Sequence, residues 1–172
     1  MAVREVLRYP HPALKQVCAP AQGADVDQIA ADLLDTMSSF ERCVGIAAPQ
    51  IDEATRIAVV DVRGHPKAKT DNGRLVLVNP RVVESHGSHV AREGCLSLPD
   101  LTANVRRAAG ITVEHAGGRF ESEGFEARCV LHEIDHLDGI LFLDRVESLV
   151  DDLFRRKSYA SESKPTSEEA AS

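Results

Sequence analysis

The sequence contains no tryptophan, and aromatic residues make up only 4% of its 172 residues. It also lacks a long apolar run, since no stretch approaches the roughly 18 to 20 residues that a membrane-spanning helix needs. The amino terminus, MAVREVLRYPHP, has no apolar segment of the kind found in signal peptides. We therefore expect a cytoplasmic protein that does not interact with membranes.

Excess positive charge is missing as well, because 20 Lys and Arg stand against 27 Asp and Glu, which gives a formal net charge of -7. Proteins that bind the nucleic-acid backbone usually carry clustered Lys and Arg, so we expect no direct nucleic-acid ligand. The four cysteines lack the spacing of a small disulfide scaffold, which suits a reducing compartment. There a distinctive cysteine is more often a metal ligand or a nucleophile than half of a disulfide. The cysteines are Cys18, Cys43, Cys95 and Cys129.

The chain length and 43% hydrophobic content fit one globular domain, which we assign to residues 1–157. Residues 158–172 are rich in Ser, Glu and Ala and are predicted to form a flexible tail. Helical spacing of apolar residues begins after Asp25, which forms a possible capping box with Gln28. Helices are also predicted over 125–137 and 146–154, and strands over 56–62, 75–79, 81–84, 111–115 and 119–123. The short connections between these strands favour antiparallel pairing, as in an α+β fold.

The strongest chemical signal is the sequence HEIDH, which lies inside the second predicted helix. Residues four apart on a helix project from the same side, so His132 and His136 can bind one metal ion. Glu133 then lies beside that ion, where it can handle a proton of a water molecule. A surface helix that carries these residues by chance is the alternative.

Two further segments contain candidate site residues. A catalytic metal site needs a third protein ligand, and Cys95, in EGCLSLP, is the best candidate. Taken alone, a cysteine in this setting is more often a small buried hydrophobic residue. The segment CVGIAAPQ consists of small residues followed by Gln50, whose amide can donate to an oxygen atom. A tightly packed turn with an exposed glutamine is the alternative here.

Together, VGIAAPQ (44–50), EGCLS (93–97) and HEIDH (132–136) resemble the three signature motifs of peptide deformylases, in the same order. The likeness extends over most of the chain up to about residue 147. It implies an α+β fold in which antiparallel strands pack around the HExxH helix. In the family the first motif usually begins with glycine, where this chain has Cys43, and the effect of this difference on substrate affinity is open.

The resemblance implies hydrolysis of the N-formyl group from the amino-terminal methionine of new polypeptides. Cys95, His132 and His136 would hold one divalent metal, with iron(II) as the native ion and zinc, nickel or cobalt as substitutes. Glu133 would transfer the proton, and the side-chain amide of Gln50 and the backbone N–H of Leu96 would stabilise the oxyanion. The peptide would lie along three further residues. These are Val44, Gly45 and Gly94.

The resemblance also implies a formyl-methionine peptide as the partner and a transient contact with the ribosome, and we expect a monomer. Two other functions stay open from the sequence. One is a zincin-like peptidase, for which Glu147 is the only nearby acidic candidate for a third ligand after the HExxH motif, although it fits poorly. The other is a deformylase-like domain that binds metal or peptide without catalysis.

Overall fold

Nine short strands and two α-helices make up the part of the chain that this computed structural model describes, residues 2–156. The predicted flexible tail lies outside these residues. The helices are α1 (Val26–Ser38) and α2 (Gly124–Leu137). The strands are β1 (Gly45–Ala47), β2 (Ile57–Val60), β3 (Leu75–Val78), β4 (Arg81–His86), β5 (His89–Cys95), β6 (Leu98–Arg107), β7 (Gly110–His115), β8 (Gly118–Glu123) and β9 (Leu153–Arg155).

The strands form three antiparallel sheets of three strands each. The orders are β1-β2-β3, β4-β7-β8 and β5-β6-β9, so β1 and β5 are edge strands of their sheets. Helix α2 contacts β1 and β2 of the first sheet and β7 and β8 of the second. This arrangement confirms the predicted α+β fold with antiparallel strands.

The packing of α2 determines which of its side chains point inward. Val130 and Ile134 pack in one buried cluster with residues of β2, β3 and β7, among them Val60, Leu77 and Val113. Burying apolar side chains in this way is the main stabilising contribution to a fold of this size. Because α2 is surrounded by strands, much of the HEIDH segment is buried as well, and His136 is only 1% exposed.

Most predicted elements are present within two residues of their predicted limits. The helix predicted over 125–137 is α2, and Gly139 follows it with φ of 70°, a left-handed conformation that suits glycine. Helix α1 also forms, but the predicted capping box is wrong. Asp25 makes no side-chain capping hydrogen bond, and Gln28 instead donates to the Asp32 carboxylate at 2.8 Å.

The helix predicted over 146–154 is wrong. The chain instead forms a 3-10 helix at Phe142–Arg145, a turn, and strand β9, which pairs with β6. The apolar pattern misled the prediction because its residues do not share one face: Leu149 and Val150 are 67% and 90% exposed, whereas Val146 and Leu153 pack in the core. The available edge of β6 competes with helix formation here. Consequently Arg155 lies in β9, and Arg156 follows that strand directly.

Neither α-helix within residues 2–156 has the length and apolar composition that crossing a bilayer requires.

Candidate active site

Three side chains bring potential metal-binding atoms together at the end of β5 and along α2. The ligand atoms of Cys95, His132 and His136 all lie within 4.8 Å of one another. Within this cluster Cys95 Sγ lies 3.3 Å from His136 Nε2. Within residues 2–156 no other group of His, Cys, Asp and Glu meets the same condition. Glu147 is exposed and accepts a hydrogen bond from Arg106, so it does not complete the site.

The donors of this cluster suit a transition-metal ion. One thiol and two imidazoles are the ligand types of zinc and iron sites, and three protein ligands leave a position for water. Two buried side-chain atoms without a hydrogen-bond partner are found in the described part of the chain, Glu133 Oε2 and His136 Nδ1. Both belong to this motif. Because unpaired buried polar atoms are costly, their concentration here supports binding of a further polar group or ion.

The charges of the cluster are strongly coupled. Burial opposes ionisation of the Cys95 thiol, but the charge of His136 and hydrogen bonds from both histidines hold its pKa well below the ordinary range. Burial also opposes the charge of His132, yet Cys95 and Glu93 outweigh it and raise the His132 pKa. The cluster therefore favours the thiolate form of Cys95, which is the form that binds metals.

Glu133 is buried beside this cluster, and the effect of burial on its pKa outweighs the effect of the neighbouring charges. Its burial raises its pKa to about 7, an effect that the neighbouring histidines partly oppose. Carboxyl groups with a pKa near neutrality are suited to accept and return protons. The geometry therefore provides a candidate general base next to the three candidate metal ligands.

A buried ion-pair network, which the sequence did not predict, holds His132 in place. The Glu93 carboxylate accepts hydrogen bonds from Arg107 at 2.7 and 2.9 Å and from Arg128 at 2.6 Å. Its Oε1 atom also lies 2.8 Å from His132 Nδ1. This contact leaves Nε2 of His132 as the atom available to a metal. Burial disfavours the Glu93 charge, but the bonds from His132 and Arg107 keep its pKa well below the usual range.

The network continues to the second carboxylate of the HEIDH segment. Arg107 also donates to Asp135 at 2.7 Å, and Arg145 donates to the same carboxylate at 2.8 Å. These bonds join β6, α2 and the following 3-10 helix. The sequence does contain a signal for this network: Asp135 is a charged residue on the buried side of an amphipathic helix, and such a residue requires a buried partner.

Gln50 lies on the opposite side of Cys95, in the 3-10 helix that follows β1. Its Oε1 atom accepts a hydrogen bond from the Ala47 backbone N–H at 2.9 Å, which orients the NH2 group toward the site. This NH2 group donates to Ser97 Oγ at 3.1 Å and contacts Cys95 Sγ at 3.5 Å. The amide of Gln50 is thus fixed before any substrate arrives, and Ser97 is a supporting residue that the sequence did not predict.

These residues surround a cavity of about 540 Å³. Eight of the nine predicted site residues line it, namely Val44, Gly45, Gln50, Gly94, Cys95, Leu96, His132 and Glu133. The ninth, His136, lies beneath the cavity surface. Other lining residues were not predicted, including His65, which stacks on Phe125 with 4.3 Å between ring centroids.

Cys43, which stands where the first motif usually has glycine, also lines the cavity. Its thiol donates to the Gly45 carbonyl oxygen at 3.2 Å, and burial raises the pKa of Cys43 to about 12. This cysteine is therefore a neutral, hydrogen-bonded thiol rather than a second reactive thiolate.

Gly45 approaches Glu133 closely, and this contact gives a first testable prediction. A methyl group added at Gly45 would lie 2.6 Å from Glu133 Oε1, so Gly45→Ala must displace the Glu133 carboxylate. We expect a folded protein whose kcat falls about tenfold or more, since a displacement near 1 Å can cost up to about 100-fold.

The matched control is Gly117→Ala in the β7–β8 hairpin, where an added methyl group would lie 2.6 Å from the His115 ring. Both substitutions create a similar overlap with a side chain, but only one lies at the cavity. Equal activity of the two variants would show that the position of Glu133 is not critical.

Comparison with known proteins agrees with this geometry. Residues 3–152 match the family model described as polypeptide deformylase. The chain is 39% identical to a peptide deformylase of Rhizobium meliloti, over 91% of this chain and 92% of the relative. It is 40% identical to a peptide deformylase of Heliobacterium modesticaldum, over 86% and 97% of the two chains.

Solved structures show the same fold. A crystal structure of a peptide deformylase from Legionella pneumophila matches with a TM-score of 0.77 and 36% identity, over 86% of this chain and 88% of that one. A class I type b peptide deformylase from Acinetobacter baumannii with Met-Ala-Ser bound matches with a TM-score of 0.75 and 34% identity, over 84% and 100%. With its three motifs assembled around one cavity and nearly its whole length matched, the chain belongs to the polypeptide deformylase family.

Proposed function

We propose that the chain hydrolyses the formamide bond of N-terminal formylmethionine in new polypeptides, releasing formate and a free amino terminus. The observation that supports this function most strongly is the convergence of Cys95, His132 and His136 beside buried Glu133 at the wall of one cavity. The family assignment and the names of the relatives point to the same reaction. The chain is accordingly a metal-dependent hydrolase.

Cys95, His132 and His136 are the residues that would hold one divalent metal ion. When bound, such an ion supplies Lewis acidity and lowers the pKa of a water molecule toward 7. A thiolate with two imidazoles suits iron(II) and zinc(II), and nickel(II) and cobalt(II) accept the same donors. By likeness to the family we propose iron(II) as the native ion. Metal analysis of anaerobically purified protein tests this choice.

Glu133 serves in this proposal as the proton carrier. It is buried, its Oε2 atom has no hydrogen-bond partner within residues 2–156, and its burial raises its pKa to about 7. A carboxylate in this state can accept a proton from the attacking water and pass it to the departing amine nitrogen. The same group would thus act first as base and then as acid.

Gln50 and Leu96 would stabilise the negative charge that develops on the formyl oxygen. The Gln50 NH2 group is already oriented by the Ala47 N–H, and Leu96 follows Cys95 directly in the cavity wall. Preset donors of this type typically contribute about 3 to 4 kcal/mol to transition-state stabilisation. Gln50 is only 2% exposed, so water competes little for its amide.

The peptide would bind as an extended segment along the cavity. Strands β1 and β5 are both edge strands, and each contributes lining residues: Gly45 from β1, and Gly94 from β5. Edge strands offer backbone groups that an extended peptide can pair with. Val44, next to Gly45, would flank the peptide, and the methionine side chain would enter the apolar part of the cavity beside Phe125 and Cys129. The Acinetobacter baumannii relative with Met-Ala-Ser bound supports a tripeptide-sized site.

Replacing Cys95 with alanine tests the metal site directly. We expect metal content to fall from about one ion per chain to a small fraction, because the thiolate contributes one of three protein ligands. Formate release should fall in parallel. The measurement is metal content per chain after dialysis, determined together with activity.

Cys18→Ala is the matched control, since Cys18 is a buried free cysteine that packs with Ala47, Ala58 and Leu137 instead of entering the cavity. It should keep its metal. Full metal retention in Cys95→Ala would contradict the proposed ligand set and favour a site completed by a different residue, as in a zincin-like peptidase.

Deformylation and peptidase activity give different products. Formyl-Met-Ala-Ser and an internally quenched peptide should be incubated with the same metal-loaded protein. We expect formate from the first and no cleavage of the second. Cleavage of the quenched peptide without formate release would support the peptidase, and binding without either product would support a non-catalytic domain.

Three properties of the cellular context stay predictions. We expect the chain to work in the cytoplasm, as a monomer, with a transient ribosome contact that brings it to its substrate. Light scattering of the purified protein tests the oligomeric state, and co-sedimentation with translating ribosomes tests the contact.

A further inference from the structure

The rim of the cavity is positively charged, although the chain as a whole has a negative net charge. The exposed charged residues that line it are four cations and one acid, whereas the formal net charge of the chain is -7. Deeper in the cavity Arg128 is neutralised by Glu93, so it adds little to this field. The exposed cations are Arg42, Lys67, Arg92 and Arg156, and the acid is Glu41. A local field of this sign attracts negatively charged groups.

Arg156 lies where the peptide is proposed to pass. Its backbone N–H donates to the Asp100 carbonyl oxygen at 2.8 Å, which fixes the chain directly after β9. Its guanidinium group lies against Gly94, so closely that a methyl group built on Gly94 would overlap it. Among residues 2–156 this guanidinium has no hydrogen bond or ion pair. An arginine without an internal partner, beside the substrate strand, is available to a ligand carboxylate.

Arg92 provides a second, better fixed cation two residues before Gly94 on β5. Its guanidinium stacks on the Phe154 ring at 3.6 Å and donates to Asn104 Oδ1 at 3.1 Å and Thr102 Oγ1 at 3.3 Å. Strand β9 therefore determines the positions of both cations, because Phe154 supports Arg92 and Arg156 follows the strand directly. This part of the chain was expected to form a helix, and only its pairing with β6 brings these groups to the cavity.

We propose that Arg156, supported by Arg92, binds a carboxylate side chain of the substrate, and so favours formylmethionine peptides with Asp or Glu near the amino terminus. The inference rests on the proposed function. Arg92 lies three positions before Cys95 on β5, which corresponds to about 10 Å along an extended strand, and Gly94, against which Arg156 lies, is between them. An extended peptide whose formyl group lies at Cys95 covers that distance with its second to fourth residues.

The test uses tetrapeptides that begin with formyl-Met and end in an amide, with Asp or isosteric Asn at position 2, 3 or 4. The amide removes the terminal carboxylate, which has the same chemistry as the side chain. We expect Asp to raise kcat/KM about threefold to tenfold over Asn at one of these positions, through a lower KM. The advantage should shrink as salt is raised from about 0.05 to 0.5 M, since exposed charges are screened.

Arg156→Gln should bring the ratio of kcat/KM for the Asp peptide to kcat/KM for the Asn peptide to about one. Arg156→Lys should keep part of the preference for Asp. Arg155→Gln is the matched control, because Arg155 is also exposed but does not line the cavity. It should keep the parental ratio.

A ratio of one in the parent protein, or an unchanged ratio in Arg156→Gln, would overturn the inference while leaving deformylation intact. Absence of formate from every peptide would instead overturn the proposed function, and the inference with it.

Discussion

Glu133→Gln is expected to lower kcat for formate release by about 100- to 10,000-fold while leaving one metal ion bound per chain. The substitution keeps the size of the side chain but removes its ability to accept a proton. The three candidate ligands are untouched, because Glu133 makes no hydrogen bond to Cys95, His132 or His136. Steady-state kinetics with formyl-Met-Ala-Ser and metal analysis of the same sample provide the measurement.

Glu126→Gln is the matched control for this prediction. Glu126 is buried on the same helix at 2% exposure, but it accepts hydrogen bonds from Asn72 and Ser122 and does not line the cavity. We expect this variant to lose stability and to keep its kcat when folded. Near-parental kcat in Glu133→Gln, with metal present, would remove Glu133 from the role of proton carrier.

Glu93→Gln is expected to lower the free energy of unfolding by about 3 kcal/mol, the lower end of the range for breaking a buried ion pair. The substitution leaves Arg128, which is 7% exposed, without its carboxylate partner, and it leaves Arg107, which is 4% exposed, with Asp135 alone. It also weakens the contact that orients His132, and loss of such a contact typically lowers metal affinity about 10- to 100-fold. Urea denaturation of the metal-free protein and competition with a metal chelator measure the two effects.

The exposed ion pair between Glu84 and Arg119 supplies the control, because Glu84→Gln should change stability little. The acid dependence gives a second readout. In the folded protein the pKa of Glu93 lies below its ordinary value of 4.5. The contribution of the Glu93 ion pairs to the free energy of unfolding is therefore complete above about pH 4.5 and is lost as the pH falls further. Glu93→Gln should flatten this acid dependence. Equal stability losses in Glu93→Gln and Glu84→Gln would contradict the importance of the buried network.

The helices and short strands with regular apolar patterns could be predicted from the sequence. Helix α2 has one face of small and apolar residues, and β2 is a run of four buried aliphatic residues. The site residues could be named because three motifs resemble those of one family in the same order. Their assembly around one cavity follows from the packing of α2 against the sheets, which no single motif encodes.

The elements that could not be predicted depend on distant partners. Strand β6 contains Pro99, Asn104 and charged residues, and it is stabilised by pairing with both β5 and β9. Strand β9 has only three residues and exists because the β6 edge is available to it. Glu93 and Asp135 looked like ordinary acids because their partner Arg107 lies in that unpredicted strand. The chemical groups of the site could therefore be predicted from the sequence, but the ion-pair network that positions them could not.

The most direct test of this account is formate release from formyl-Met-Ala-Ser by anaerobically purified protein, with metal content determined on the same sample before and after chelation. We predict release that scales with bound metal, stops on chelation and returns when iron(II) is restored. Protein that carries one metal ion per chain and releases no formate would contradict the proposed function.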